Sequence, residues 1–171
     1  LSSIVPQNFI ILKDPKVKGD KTAVEALVKM IQAAKSDGLE VWQVSEGYRT
    51  FNRQQELFDL EVQNLIRDEQ LSLESAKKAA ERHAALPGFS EHHTGLAFDL
   101  TVPGYYFGDT KQAIWLEDHC FEYGFIIRYT ANKEDITGFS AEPWHVRFVG
   151  EDHARFMEEH NLALEEYLAL Y

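Results

Sequence analysis

Two short segments of the sequence carry side chains of the kind that hold a metal ion. The first runs Ser90-Glu91-His92-His93-Thr94-Gly95-Leu96-Ala97-Phe98-Asp99, and the second is Glu142-Pro143-Trp144-His145. Imidazole nitrogens and carboxylate oxygens are ordinary zinc donors, both at roughly 2.0–2.2 Å. Alternation over residues 95–101 predicts a strand with Leu96, Phe98 and Leu100 on its core face. Asp99 then points the other way with Gly95 and Ala97, whose small size leaves room for an ion. Val146 and Phe148 alternate with His145 and Arg147 in the same manner. Two imidazoles and one carboxylate leave a coordination position open, which is how catalytic zinc sites differ from closed structural ones. Spacing does not separate His92 from His93, since either reaches a metal held by Asp99. Glu142, three residues before His145 across a Pro-Trp turn, can sit beside the site and move a proton without being a ligand.

A third cluster is Gly47-Tyr48-Arg49-Thr50-Phe51-Asn52-Arg53-Gln54. It places Arg49 where a strand turns into a helix, able to stabilise a developing oxyanion or clamp a substrate carboxylate. Each feature also has a plainer reading: a lone histidine is more often surface or satisfied core, and an arginine at a turn often only pairs locally.

The elements that must position these residues are legible in part. Residues 1–18 read as extended and loop-rich, with Pro6 and Pro15. Asp20 can cap a helix with Val24, Leu27, Val28 and Ile31 on one face, ended by Gly38. A strand is expected over 39–45, then a helix after Arg49 with Leu57, Phe58, Leu65 and Ile66 as core candidates. Ser72 opens an alanine-rich helix to about residue 85, broken by Leu86-Pro87-Gly88. After the strand at 95–101 come a loop at 104–109, a helix at 111–123 stopped by Gly124, strands at 125–129 and 144–149, and twenty helical residues. Helices that precede, separate and follow short strands predict an α+β fold with a small, mainly antiparallel sheet and flanking helices.

At 171 residues, with 44% hydrophobic and 26% charged positions, the chain fits a single globular domain over 1–171. Residues 1–40 form an N-terminal extension and first helix without a recognisable motif. The net charge of −11 argues against a nucleic-acid partner, which needs Lys and Arg to displace counterions. No apolar run approaches the roughly 20 residues of a transmembrane helix. Cys120 stands alone, so no intrachain disulfide and no Cys-rich metal site is possible. The start at Leu1 suggests a processed form, with any signal or anchor upstream.

Taken together, the segments resemble the VanY-type D-alanyl-D-alanine carboxypeptidases, including related L,D-carboxypeptidases and bifunctional vancomycin-resistance peptidases. The pattern G-Y-R-[ST]-x-x-x-Q lies at 47–54 and S-x-H-x-x-G-x-A-x-D at 90–99. G-F-x-x-R-Y follows at 124–129 and E-P-W-H-x-R-[FY]-V-G at 142–150, so four motifs stand in family order over about two-thirds of the chain. The resemblance implies one Zn²⁺ held by His92, Asp99 and His145, with His93 a neighbour at a position where relatives often have glutamine. It implies Glu142 as catalytic base, Arg49 in transition-state or substrate contacts, and Ser90, Gln54 and Tyr129 at the substrate's C-terminal end. The implied activity is removal of the terminal D-alanine from peptidoglycan stem peptides or their precursor, D-Ala-D-Ala ends first, at an extracytoplasmic or envelope location, with a cytoplasmic one as the alternative. The alternatives are an L,D-carboxypeptidase on tetrapeptide stems, a wall endopeptidase on the same fold, and a non-catalytic wall-peptide-binding module. One residue departs from the pattern: Glu46 stands where serine usually precedes Gly-Tyr-Arg, which bears on specificity and not on the metal.

Overall fold

The computed structural model describes residues 1–171. Its first half comprises β1 (Ser2–Ser3), β2 (Ile10–Leu12), β3 (Lys18–Gly19), α1 (Lys21–Ser36), β4 (Trp42–Glu46), α2 (Phe51–Glu69) and α3 (Leu73–Ala80). The second half comprises β5 (Ala97–Thr101), α4 (Lys111–His119), β6 (Phe125–Tyr129), α5 (Glu134–Thr137), β7 (Glu142–Phe148), α6 (Glu151–Glu159) and α7 (Leu164–Leu168). Short 3-10 turns occupy Glu91–Thr94, Phe107–Asp109, Cys120–Tyr123 and Ala131–Lys133.

The main sheet has the strand order β2-β4-β5-β7-β6, while β1 and β3 form a separate two-stranded pair. Only β2 runs parallel to its neighbour, so the expected α+β architecture with a mainly antiparallel sheet is what the chain adopts. One face of the sheet builds the main core. Asp20 caps α1 by accepting from the backbone N–H groups of Thr22 and Ala23. The apolar stripe of α1, with Leu27, Met30 and Ile31 fully buried, covers Trp42, Val44, Phe98, Leu100 and Val146 from the strands. Period-two alternation therefore sends Asp99 and His145 to the opposite face. A second, smaller cluster pins α2 to α3 through Phe58, Val62, Leu65, Ala76 and Ala80.

Several boundaries differ from expectation for physical reasons. Residues 1–18 are not only loop: Ile10–Leu12 adds an edge strand, too short to show a period of its own. The alanine-rich helix ends at Ala80, because the chain turns back and the Ala85 carbonyl accepts from Gln54 Nε2 at 2.7 Å. Ile66 is 37% exposed, and Leu57 lines a cavity instead of the core. The helix at 111–123 tightens into a 3-10 turn from Cys120, and the loop at 104–109 holds another that buries Phe107. The strand expected at 144–149 starts earlier, at Glu142. The C-terminal helical stretch is divided in two near Asn161, which has φ +50°.

Candidate metal centre and active site

The register of the sheet assembles the site. Asp99 on β5 lies directly opposite His145 on β7, and such antiparallel partners point to the same face. His145 Nδ1 stands 3.0 Å from Asp99 Oδ1. His92 arrives from the 3-10 turn, its Nε2 3.4 Å from Asp99 Oδ2. One ligand atom from each of the three residues falls within 4.8 Å of the others. Their outer contacts suit a metal as well. His92 Nδ1 donates to the Gly47 carbonyl at 2.7 Å, which leaves Nε2 as the lone-pair nitrogen beside Asp99. His145 has a carboxylate at each ring nitrogen, Asp99 at Nδ1 and Glu91 Oε2 3.3 Å from Nε2. Glu91 lies outside the donor cluster, so Nε2–H donating to it leaves Nδ1 to share an ion with Asp99. The donor set fits zinc in residue type, number and spacing.

Gly47 is required by this packing. A Cβ there would lie 2.5 Å from the Lys18 carbonyl oxygen, whose strand holds the turn in place. Gly95, at φ +75°, closes the turn that carries His92. His93 takes a different path. Its Nδ1 donates to the Arg49 carbonyl at 2.8 Å and its Nε2 accepts from the Gly88 N–H at 3.1 Å. Both ring nitrogens are thus occupied in tying two loops together, and His93 is no part of the donor cluster.

Electrostatics follow from burial. The Asp99 carboxyl is pushed up by burial, but His92 and His145 more than reverse this and hold it well below the usual carboxylate range. Burial lowers His145, yet the bonds to Asp99 and Glu91 raise it to about 9. That imidazole therefore sits in the negative surroundings a cation would neutralise. Glu142 behaves in the opposite way: burial, with Asp99 and Glu91 nearby, pushes it up to about 7 against the pull of His145 and Arg49. Its Oε2 is 3.7 Å from His145 Nδ1, adjacent to the cluster without belonging to it.

Arg49 closes the other side. Its Nη2 lies 3.5 Å from Asp99 Oδ2 and its Nη1 donates to Gln54 Oε1 at 2.7 Å. Its buried Nε makes no hydrogen bond. Glu46 Oε2 is 3.6 Å from that Nε, brought there by a bulge after Val44 that sets Glu46, rather than Ser45, opposite Asp99. The departing residue of the motif therefore touches the arginine.

A cavity of about 280 Å³ opens between this sheet face and α2. Every site residue expected from the sequence lines it: His92, Asp99, His145, Glu142, Arg49, Ser90, Gln54 and Tyr129. Gln54 is fully buried with both ends of its amide engaged, by Arg49 and by Ala85, so it braces Arg49. Tyr129 stacks on Phe139 at 4.5 Å and flanks the His145 ring at 5.1 Å. Sequence reasoning missed Glu91, with Arg128 and Arg147 around it, and the wall formed by Leu57, Leu60, Glu61 and Asn64. The acidic residue next to His92 was the only available signal for Glu91; a 3-10 turn has neither helical nor strand period to show where it points.

The VanY family pattern, described as D-alanyl-D-alanine carboxypeptidase, matches residues 16–151. YodJ of Bacillus subtilis (strain 168) is 45% identical over 153 residues, which are 86% of this chain and 52% of YodJ. A D-alanyl-D-alanine carboxypeptidase of Enterococcus faecalis (strain ATCC 700802 / V583) is 40% identical over 142 residues, 83% of this chain and 52% of that protein. The chain thus spans about half the length of these relatives. Among solved structures, VanYB in complex with D-alanine-D-alanine superposes with a TM-score of 0.85 at 34% identity, covering 96% of this chain and 92% of that one. A vancomycin-resistance D,D-pentapeptidase VanY variant in complex with Zn(II) gives 0.83 at 36% identity, covering 97% and 93%. The LdcB LD-carboxypeptidase gives 0.75 at 36%, covering 96% and 78%. One of these neighbours is in complex with Zn(II), and the same fold here gathers a His-Asp-His donor set. The chain belongs to the VanY D-alanyl-D-alanine carboxypeptidase family.

Proposed function

We propose that this chain is a zinc-dependent carboxypeptidase domain that removes the terminal D-alanine of bacterial peptidoglycan stem peptides, with D-Ala-D-Ala ends preferred. The observation that carries the reading is the placement of Glu142. It is a buried carboxylate pushed up to about 7, facing the cavity beside the His-Asp-His cluster but outside it. A pure binding module has no use for a proton acceptor there.

His92 Nε2, one Asp99 oxygen and His145 Nδ1 would hold the ion. When bound, zinc polarises the scissile carbonyl and acidifies water. Glu142 accepts the proton of the attacking water and returns it to the departing D-alanine amine, a task suited to a group that titrates near neutrality. The Arg49 guanidinium, which lines the cavity, supports the developing oxyanion or the substrate's terminal carboxylate, while Gln54 holds it in place. Ser90 and Tyr129 form the wall against which the C-terminal residue lies. The substrate class comes from the relatives: the dipeptide in the VanYB complex is D-Ala-D-Ala. Peptidoglycan lies outside the cytoplasmic membrane, so the domain would act in the cell envelope. No helix is long and apolar enough to cross a membrane.

An L,D reading has a specific observation in its favour, since identity to the LdcB LD-carboxypeptidase is as high as to the zinc-bound VanY. Incubation with stem pentapeptide and tetrapeptide, followed by mass measurement, tests both. Trimming of the pentapeptide by one alanine is the expected result. An intact pentapeptide with a trimmed tetrapeptide selects L,D specificity. A pentapeptide with an amidated C-terminus should resist, and its efficient cleavage would replace the carboxypeptidase reading with an endopeptidase.

A further inference from the structure

We infer that Glu91 is a positioning residue for the metal ion, and that the C-terminal helix α7 holds Glu91 in place through Arg128. The inference rests on zinc being bound by His92, Asp99 and His145.

The contacts form a continuous series. Glu91 Oε2 faces the outer nitrogen of His145 at 3.3 Å, and Glu91 Oε1 accepts from Arg128 Nε at 2.7 Å. Arg147 Nη1 adds a second cationic group 3.5 Å from Oε1. The other two nitrogens of Arg128 bind both carboxylate oxygens of Glu165, a fork-to-fork pair. Arg128 and Glu91 are almost wholly removed from solvent, with side-chain exposures of 9% and 12%. Glu165 lies on α7, beyond residue 151 where the family match ends. The outer end of the series is therefore supplied by a segment the family pattern does not describe.

Physical chemistry says what such a series does. A ligating imidazole can rotate about its Cβ–Cγ bond and can carry its proton on either nitrogen. An acceptor fixed at the outer nitrogen settles both and makes the inner nitrogen a better donor; losing such a partner typically costs about 10–100-fold in metal affinity or activity. Glu91 must also serve His145 and Arg128 at once, which takes two acceptor oxygens. A glutamine has one acceptor and one donor in the same volume, so it cannot serve both.

The test is zinc affinity, measured by competition with a chelating dye, alongside thermal unfolding of the chelated protein. Glu91→Gln should weaken zinc binding about 10–100-fold. Glu165→Ala should weaken it several-fold, and the double variant should bind no more weakly than Glu91→Gln alone. Glu166→Ala is the control on the same helix. It removes a 2.8 Å pair with Lys133 and the cap on the Ala163 N–H, yet it should leave zinc affinity unchanged. Unaltered affinity in Glu91→Gln overturns the inference. Equal losses in Glu165→Ala and Glu166→Ala overturn the part assigned to α7 and mark general loosening of the helix. Glu165 is partly exposed, so its variant reports even if the buried Glu91 variant fails to fold. A wild-type protein that holds no zinc would instead overturn the metal assignment on which the inference stands.

Discussion

At His92 the ring donates from Nδ1 to the Gly47 carbonyl, so the other nitrogen is turned to Asp99; at His93 both nitrogens are spent on Arg49 and Gly88. The two adjacent histidines should therefore separate cleanly on mutation. His92→Ala, Asp99→Ala and His145→Ala are each expected to abolish most zinc binding, whereas His93→Ala keeps its zinc; metal analysis of the purified variants is the check, and full occupancy in the first three would refute the donor set. Glu142 calls for a different measurement. Glu142→Gln keeps size and a hydrogen bond to water but cannot accept and return a proton. Its kcat should fall about 10²–10⁴-fold with zinc content and substrate binding retained. Near-normal turnover in a fully loaded variant would remove Glu142 as the base, and loss of zinc would make it a ligand or a support.

The sheet uses its two faces for separate tasks, and the elements divide accordingly. Trp42, Val44, Phe98, Leu100 and Val146 anchor α1 on one side, while Asp99, His145 and Glu46 converge on the other through the strand register. A one-residue slip between β5 and β7 would send Asp99 or His145 into the core. Stability and metal binding should then be separable at the level of α1. Leu27 is fully buried in the helix–sheet core, outside the cavity that holds the donors. Leu27→Ala should cost about 2–5 kcal/mol in urea unfolding of the chelated protein. The folded variant should still take up one zinc per chain. Failure to load zinc while folded would show that α1 shapes the site directly.

For the molecule as a whole, Cys120 offers a single reporter. It is the only cysteine, it is 4% exposed, and burial together with the charge of Glu158 pushes its thiol up to about 12. The thiolate is the reactive form, so the folded protein at pH 8 should resist an alkylating reagent. In denaturant each chain should gain one adduct by mass. Prompt modification under native conditions would mean that the core around α4, β6 and α6 opens far more readily than its packing indicates. Zinc should slow the labelling, because an ion bound only by the folded state shifts the equilibrium away from the open one.

Legibility in the sequence followed from how local each signal was. The α1 helix, the β5 alternation and the turn glycines depend on residues within a few positions of one another, so their periods and caps were readable directly. The four ordered motifs likewise named the donor cluster, Glu142 and Arg49, because each of these side chains lies inside a short motif that resembles the family pattern. What tertiary structure decided was everything that needed a partner distant in the chain. Spacing left the two histidines open and the motif pattern favoured His92, but the physical reason lies in the carbonyls of Gly47 and Arg49, more than forty residues away. The edge strand Ile10–Leu12 is too short to carry a pattern and exists only because β4 pairs with it. Glu46 meets Asp99 through a bulge that no local residue announces. Glu91 touches His145 because the register of β7, the position of Arg128 on β6 and the docking of α7 bring their charges together. Hydrogen bonds and ion pairs act over a few ångströms of space, and only the folded chain determines which residues share them.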